Sequence, residues 1–439
     1  MKNERVDQRF ILTLNLGSSS LKSAYFAAIR SNSTLPDSTL PDSTLHRLGS
    51  VTVSKLGSEG EILVESSSET SGAEKRTQTL AVRERPGVEE LLTIVSRVYA
   101  ERGITVGPEV VAHRIVHGGT KFAAPTAITP QVFSELKALE PLAPLHQPPQ
   151  LLGITAAQHA FPKARQIASF DTAFHHGRSR VLDTYAIPEQ LYEAGVRRYG
   201  FHGVALEGIV SELEALGRIS PTTKTIVAHL GSGASVTGIL GSKSVSCSMG
   251  FSTLDGVPMG TRCGAIDPGV LLYLLSEKGT SVSELSDTLY NRSGLLGLSG
   301  LSADMRELLA SKEQSAELAI DHFVERVVRE IGATAATLRG VDQLVFSGGI
   351  GENSGIVRER VVDGLAWLGV RSAESAFDRN AGIDRHQNPA GAVTDFSAPN
   401  SQVKVVVVRT DEEQTLARSA VKFFTERQID TVGRGNGKR

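Results

Sequence analysis

Cysteine is nearly absent from this chain: Cys247 and Cys263 are the only two among 439 residues. Two thiols cannot build a disulfide framework, and their spacing is not that of zinc ligands, so a reducing compartment is the simpler expectation. Aromatic residues are scarce as well, at 5%, which argues against an aromatic-rich binding surface and for an aliphatic core. Neither sign of charge is in excess: 46 Lys and Arg stand against 48 Asp and Glu, a formal net charge of -2. No overall field is then available to hold nucleic acid or an anionic membrane surface. Long hydrophobic runs are missing too. The polar start MKNERVDQRF leads into a short apolar stretch at 11–16, far below the length of a signal peptide or membrane span. A soluble, cytoplasmic protein with neither nucleic acid nor membrane as partner is expected. The signature G-x-x-x-x-G-K-[ST] occurs nowhere, which disfavours a P-loop enzyme, and no H-E-x-x-H is present to suggest a zinc site.

What is present is a globular balance of 40% apolar and 21% charged residues, over a length roughly three times the ~150 residues usual for one domain. Two domains or one large one are expected. Residues 10–16 and 21–28 read as strands joined by the turn Gly17-Ser18-Ser19-Ser20. A tandem STLPD repeat follows at 33–45, where a proline every fifth residue forbids helix and interrupts a ladder, so a solvated insertion is expected. Short strands are expected at 51–53 and 61–64, and an exposed loop over 66–85. Residues 87–102 carry Val88, Leu91, Leu92, Val95 and Val98 at the spacing of one helix face. Strands at 110–116 and 166–169 end at polar residues. A second hairpin follows, 224–230 and 234–240 around Gly231-Ser232-Gly233. Leu14-Asn15-Leu16-Gly17-Ser18-Ser19 can be laid over Ala228-His229-Leu230-Gly231-Ser232-Gly233, a weak sign of internal duplication. A long amphipathic helix over 317–338, a strand at 341–346 opening into Ser347-Gly348-Gly349-Ile350-Gly351-Glu352-Asn353, a strand at 403–408 and a closing helix at 414–427 complete the pattern.

Three glycine- or hydroxyl-rich turns after strands suit main-chain contact with phosphate. Lys22 stands close enough behind the first turn to reach a phosphate or simply to be solvated. Arg114 and Arg262 lie among apolar neighbours, and a buried guanidinium wants an anion, whether a structural carboxylate, a carboxylate substrate or a phosphoryl group. Asn15, Asp171 and Glu412 stand at or near strand ends, and such oxygen groups suit Mg²⁺. Most of the clustered histidines read as structural.

Ten stretches, in order, resemble the motifs of acetate kinases: LNLGSSSLKSAYF (14–26), AHRIVHGG (112–119), PLAPLHQPPQLLGI (141–154), SFDTAFHHG (169–177), RRYGFHGV (197–204), AHLGSGAS (228–235), SMGFSTLDGVPMGTRCGAIDPG (248–269), SGLLGLSGLSADMREL (293–308), FSGGIGENSGIVRERV (346–361) and RTDEE (409–413). The resemblance implies an α/β protein with a duplicated ribonuclease-H-like fold of the actin and sugar-kinase superfamily, two lobes with a nucleotide cleft between them, and a homodimer. It implies a first lobe of 1–171 plus 395–439 and a second of 172–394. It also implies reversible phosphoryl transfer from ATP to acetate, with Mg²⁺ or Mn²⁺. Propionate or another short-chain acid as acceptor, or pyrophosphate as donor, are the close alternatives. An actin-like ATPase is the distant one, and it would leave Arg114 and its segment unexplained.

By the family's pattern Asn15 and Glu412 hold the metal, and Arg114 binds the acyl carboxylate. Val116, Leu145, His146 and Phe201 line the substrate site, and Asp171, His202 and Arg262 are catalytic. Lys22, His229, Leu230, Gly231, Ser232, Gly233, Asp304, Met305, Arg306, Gly349, Ile350, Gly351, Glu352 and Asn353 contact the nucleotide. Positioned cations suit an in-line transfer that spreads negative charge over equatorial oxygens. A carboxylate acceptor is already ionised at neutral pH, so orienting an arginine or a metal-bound water is a more physical task for Asp171 than acting as a base. The chain departs from the pattern at Ser232 (usually Asn), Thr253 (usually Pro), Ala265 (usually Asp) and 204–206 (usually T-S-H).

Overall fold

A computed structural model describes residues 8–17, 20–29, 45–54, 61–68, 75–81, 86–373 and 393–433. Nearly all of the STLPD insertion lies outside them. The chain forms two compact units, residues 1–173 with 412–439, and residues 174–411. Among the described residues no helix is long and apolar enough to cross a membrane.

The first unit is built on one mixed sheet. Its strands are β1 (Gln8–Leu16), β2 (Ser20–Ile29), β3 (Leu45–Ser54), β4 (Glu61–Ser68), β5 (Arg76–Ala81), β6 (Val110–Ile115), β7 (Thr126–Ala127) and β8 (Arg165–Phe170). They lie in the order β5-β4-β3-β2-β1-β6-β8-β7. The meander from β1 to β5 is antiparallel, whereas β1, β6 and β8 run parallel. The exposed loop expected over 66–85 is corrected here: 66–68 finish β4, and 76–81 form the sheet's edge strand. Its residues are almost all exposed, so an edge partner rather than apolar alternation makes it a strand. Helix Val88–Glu101 buries Leu91, Leu92, Ile94, Val95, Val98 and Tyr99 in the same apolar cluster as Leu12, Val51 and Val64. Helix Gln147–Ala160 packs beside it, and the C-terminal helix Glu412–Gly433 packs on β1, β2 and β6.

The second unit has six strands, β9 (Lys224–Leu230), β10 (Ala234–Leu240), β11 (Lys243–Cys247), β12 (Gln343–Ser347), β13 (Val393–Asp395) and β14 (Lys404–Val408), in the order β11-β10-β9-β12-β14-β13. An antiparallel run β9-β10-β11 is followed by parallel β9, β12 and β14. The same topology is therefore written twice, β1-β2-β3-β6-β8 matching β9-β10-β11-β12-β14, and the weak overlay of the two glycine turns becomes a structural equivalence. Helix Gln314–Leu338 covers this sheet with Ile320, Phe323, Val327 and Ile331 buried; Leu318, expected on that face, is 58% exposed. The expectation grouped 395–411 with the first lobe. Here β14 pairs with β12, so the second unit keeps those residues and the chain leaves it only at Glu412.

Several histidines are buried in the fold. Burial lowers His113 and His117 to about 4; burial, with the Arg178 charge, lowers His175 to about 3. His175 is held neutral between Ser244 Oγ and the Phe201 carbonyl, each at 2.8 Å. Below the unfolded value of about 6.5 the unfolded chain takes up these protons first. Each group's stabilisation is thus complete above that pH and is lost as pH falls towards its folded value, at a slope approaching about 1.4 kcal/mol per pH unit. The urea midpoint should therefore fall steadily from pH 7 to 5, and His113→Gln should make the profile shallower; a flat profile would contradict this burial.

Candidate active site

The carboxyl ends of the parallel strands carry the polar residues. In the first unit Arg114 on β6 stands between β1 and β8. Its Nε and Nη2 donate to Asp171 Oδ1 and Oδ2 at 2.9 and 2.8 Å, while Nη1 donates to Asn15 Oδ1 at 3.2 Å and Glu412 Oε2 at 3.0 Å. Asn15 Nδ2 donates in turn to Glu412 Oε2 at 2.6 Å and Glu413 Oε1 at 3.3 Å. The Arg114 side chain is 20% exposed, and that of Asp171 only 1%. Burial works against the guanidinium's charge, but Asp171 and Glu412 outweigh it and hold the group charged well above its ordinary range. Both Asp171 oxygens are engaged on that fork, the geometry of an orienting carboxylate.

Three carboxylates face this one guanidinium, and the excess of negative charge fits a divalent cation. Asn15 and Glu412 supply oxygens of the kind Mg²⁺ takes, with waters and phosphate completing its shell. Among the described residues no group of three or more His, Cys, Asp or Glu forms a metal cage.

Other predicted residues of this unit gather less tightly. Lys22 is exposed on β2 in register with Asn15. Val116 is buried just past β6. Leu145 is 39% exposed, and His146 is the half-buried N-cap of helix Gln147–Ala160. Sequence reasoning passed over Gln150, whose Oε1 accepts from the Val116 amide at 2.8 Å while its Nε2 donates to the Leu16 carbonyl at 3.3 Å. That side chain ties the ends of β1 and β6 together. The motif PLAPLHQPPQ contained it, but only the fold gives it partners.

In the second unit residues far apart in sequence converge. A Cβ on Gly233 would stand 3.3 Å from both Arg262 Nη2 and His202 Nε2; one on Gly231 would stand 3.5 Å from the Gly349 nitrogen; and one on Gly260 would meet Ala303, next to Asp304, at 3.2 Å. The backbone thus comes close to these groups, and both glycine turns, Arg262, His202 and the 303–306 segment form one cluster. His202 takes a left-handed conformation (φ 62°) as N-cap of helix Gly203–Ala215, an uncommon state for a side-chain-bearing residue. Arg262 Nη1 donates to the Thr253 carbonyl at 2.8 Å, so Thr253 contributes main chain here. Ser232 and Gly349 are exposed, Ile350 and Asn353 half-buried, and the Asn353 side chain donates to the Gly349 carbonyl. Asp304 caps helix Met305–Ala310 and pairs with the exposed Arg306.

Three predicted contacts are buried side chains. Leu230 and Phe201 are fully buried, and so, nearly, is Met305. Glu352 is braced inward: its Oε1 accepts from Gly348 N at 3.0 Å, Thr410 N at 3.1 Å and Thr410 Oγ1 at 2.9 Å. Arg358 supports the same turn by donating from Nη1 to the carbonyls of Gly351 and Glu352.

A model of the acetokinase family matches residues 10–418. The acetate kinase of Methylocella silvestris is 44% identical over 422 residues, covering 95% of this chain and 98% of its own length, and that of Nitrobacter hamburgensis is 41% identical over 431 residues, 96% and 98%. Among solved structures, acetate kinase from Porphyromonas gingivalis superposes with a TM-score of 0.78 at 32% identity, over 95% of this chain and all (100%) of that one. A propionate kinase from Francisella tularensis gives 0.78 at 31%, over 94% and 98%.

Because one Glu352 oxygen satisfies three donors, Glu352→Ala should cost about 2–4 kcal/mol of stability, and Glu352→Gln, which keeps an acceptor oxygen, clearly less. Urea unfolding of the two variants checks this; equal losses would mean the brace carries no weight.

Proposed function

The chain belongs to the acetokinase family, and from that premise we propose that it is an acetate kinase, moving the terminal phosphoryl group of ATP reversibly onto acetate to give acetyl phosphate and ADP. Arg114 carries the reading. Its four hydrogen bonds within the unit leave one of a guanidinium's five N–H groups for a ligand, and a cation held rigid by Asp171 would aim that donor at an acceptor carboxylate. An assembly ATPase has no use for it. Val116 and Leu145 would meet the acyl methyl group, together with Phe201 by the family's pattern, and His146 would stand nearby.

One acetate oxygen attacks the terminal phosphorus, and the bond from phosphorus to the oxygen it shares with ADP breaks. No proton changes hands, because the nucleophile arrives ionised. Asp171 therefore works by aiming Arg114. Arg262 and His202, converging in front of Gly233, would stabilise the charge that spreads over the equatorial oxygens, which is where such a transfer gains most. Lys22, the main chain at 229–233 and 349–351, Asn353, and the 304–306 segment would hold ATP. Asn15 and Glu412 would hold Mg²⁺ or Mn²⁺, which neutralises phosphate oxygens when bound.

We assign a cytoplasmic setting on the two unpaired thiols, and a homodimer on helix Pro268–Ser276. That helix is apolar yet buries none of its residues; Leu272 is 66% and Tyr273 49% exposed. An uncovered face of this kind marks an association surface. Leu272→Glu should convert a dimer to a monomer by light scattering; a wild-type monomer would remove the assignment.

The functional test is acyl phosphate formation trapped as hydroxamate, with ATP or pyrophosphate as donor and acetate, propionate or butyrate as acceptor. ATP with acetate should be best, with propionate poorer within about two orders of magnitude, since one methylene in an apolar pocket discriminates modestly. Arg262→Ala should lower kcat by roughly three or more orders of magnitude, while Arg114→Ala should also raise KM for acetate. Near-normal turnover in folded Arg262→Ala protein, or a preference for propionate, would overturn the respective assignment.

A further inference from the structure

Two imidazoles stand side by side in the second unit, each held at the same ring atom by a buried serine. His202 Nδ1 lies 2.9 Å from Ser235 Oγ, and His229 Nδ1 lies 3.0 Å from Ser347 Oγ. The ring centres are 4.8 Å apart. Both serines are fully buried. The sheet itself sets this up: Ser235 on β10 and Ser347 on β12 are the register partners of His229 on the intervening β9. The three side chains thus form a row across neighbouring strands, the arrangement in which paired residues meet on one face. His202 comes to the row from outside the sheet, at the start of its helix in the left-handed conformation.

We propose that Ser235 and Ser347 are positioning residues, each donating its hydroxyl proton to Nδ1 and so fixing His202 and His229 as neutral rings that carry their proton on Nε2. A neutral imidazole has one donor and one acceptor, and the nitrogen that accepts decides which nitrogen donates. The opposite arrangement, with Nδ1 donating to serine, gives Nε2 a bare lone pair, repelled by phosphoryl oxygens that only accept. A doubly protonated ring would escape that repulsion, but the second imidazole at close range opposes it. For His202 so does the guanidinium of Arg262, which shares the space before Gly233 with Nε2. With the proton on Nε2, His202 adds a neutral donor beside the cationic fork, preorganised by a hydroxyl that itself touches no substrate. This rests on the phosphoryl-transfer reading above for its purpose, though not for its measurement.

The full-length protein labelled with ¹⁵N-histidine should report the tautomers directly in long-range ¹H–¹⁵N correlation spectra at pH 7.5, the two rings being identified by signals lost in His202→Gln and His229→Gln. Both should show protonated Nε2 and bare Nδ1. A protonated Nδ1 on His202, alone or in an imidazolium, overturns the proposal, and this wild-type measurement decides even where a serine variant does not fold. In Ser235→Ala the His202 signals should move to a mixture of tautomers, with kcat for acetate lowered by about ten- to a hundredfold, as when other orienting groups are removed, and KM for acetate changed less than about twofold. Unchanged tautomer signals and unchanged kcat in folded Ser235→Ala protein would mean that the serine only fills space. If the Nε2–H pattern is found but ATP and acetate give no acyl phosphate, the assigned reaction fails while the tautomer assignment stands.

Discussion

Where three neighbouring strands run parallel, their carboxyl ends fall along one edge of the sheet, and whatever follows each strand is delivered there. Both units depend on this. β1, β6 and β8 deliver Asn15, Arg114 and Asp171; β9 and β12 deliver His229, Ser347 and the glycine-rich turn. The connections between parallel strands must cross over the sheet, which explains why residues a hundred positions apart become hydrogen-bond partners. The equivalence of the two sheets goes down to single positions. Laid over each other by their glycine turns, Asn15 matches His229 and Arg114 matches Ser347, and each pair is hydrogen bonded. One scaffold thus carries an arginine–amide pair in one copy and a histidine–serine pair in the other.

That contrast is electrostatic in origin. Arg114 stays charged although burial opposes it, because carboxylates surround it; the buried histidines of the fold stay neutral because few or no anions do. A buried group keeps its charge only where a partner compensates for lost water. The network around Arg114 overshoots, with more carboxylate than guanidinium. Around Gly233 the nearest side-chain groups are the Arg262 guanidinium and the His202 imidazole.

Much of the fold was legible in the chain. Strands announced themselves as short β-branched runs ending in glycine, and helix 88–101 by the spacing of Leu91, Leu92, Val95 and Val98. The edge strand at 76–81 was not, because an exposed edge has no apolar alternation to read. The boundary at Glu412 was not, because a strand's sheet is chosen by pairing, and nothing within 404–408 names β12 as its neighbour. In the site, Arg114 and Arg262 stood out as charged residues in apolar surroundings, and Asp171 as a carboxylate at a strand end. Gln150, Ser235 and Ser347 did not, since a serine or glutamine in a sequence is mostly a solvated residue. Glu352 stood in a glycine-rich motif and read as a ligand contact, yet its carboxylate turns inward to bind main chain.

By itself the sequence determined the chemical kinds of residue available, the family pattern, the absence of a membrane-length segment and the local periodicities, because these are properties of composition and of near neighbours along the chain. Only the tertiary structure decided that Asp171 grips Arg114, that Arg262 and His202 converge on Gly233, and that two serines hold two imidazoles. Each depends on distances between segments brought together by strand register and crossover, and a hydrogen bond that exists at 2.9 Å and is gone at 4 Å cannot be read from spacing in sequence.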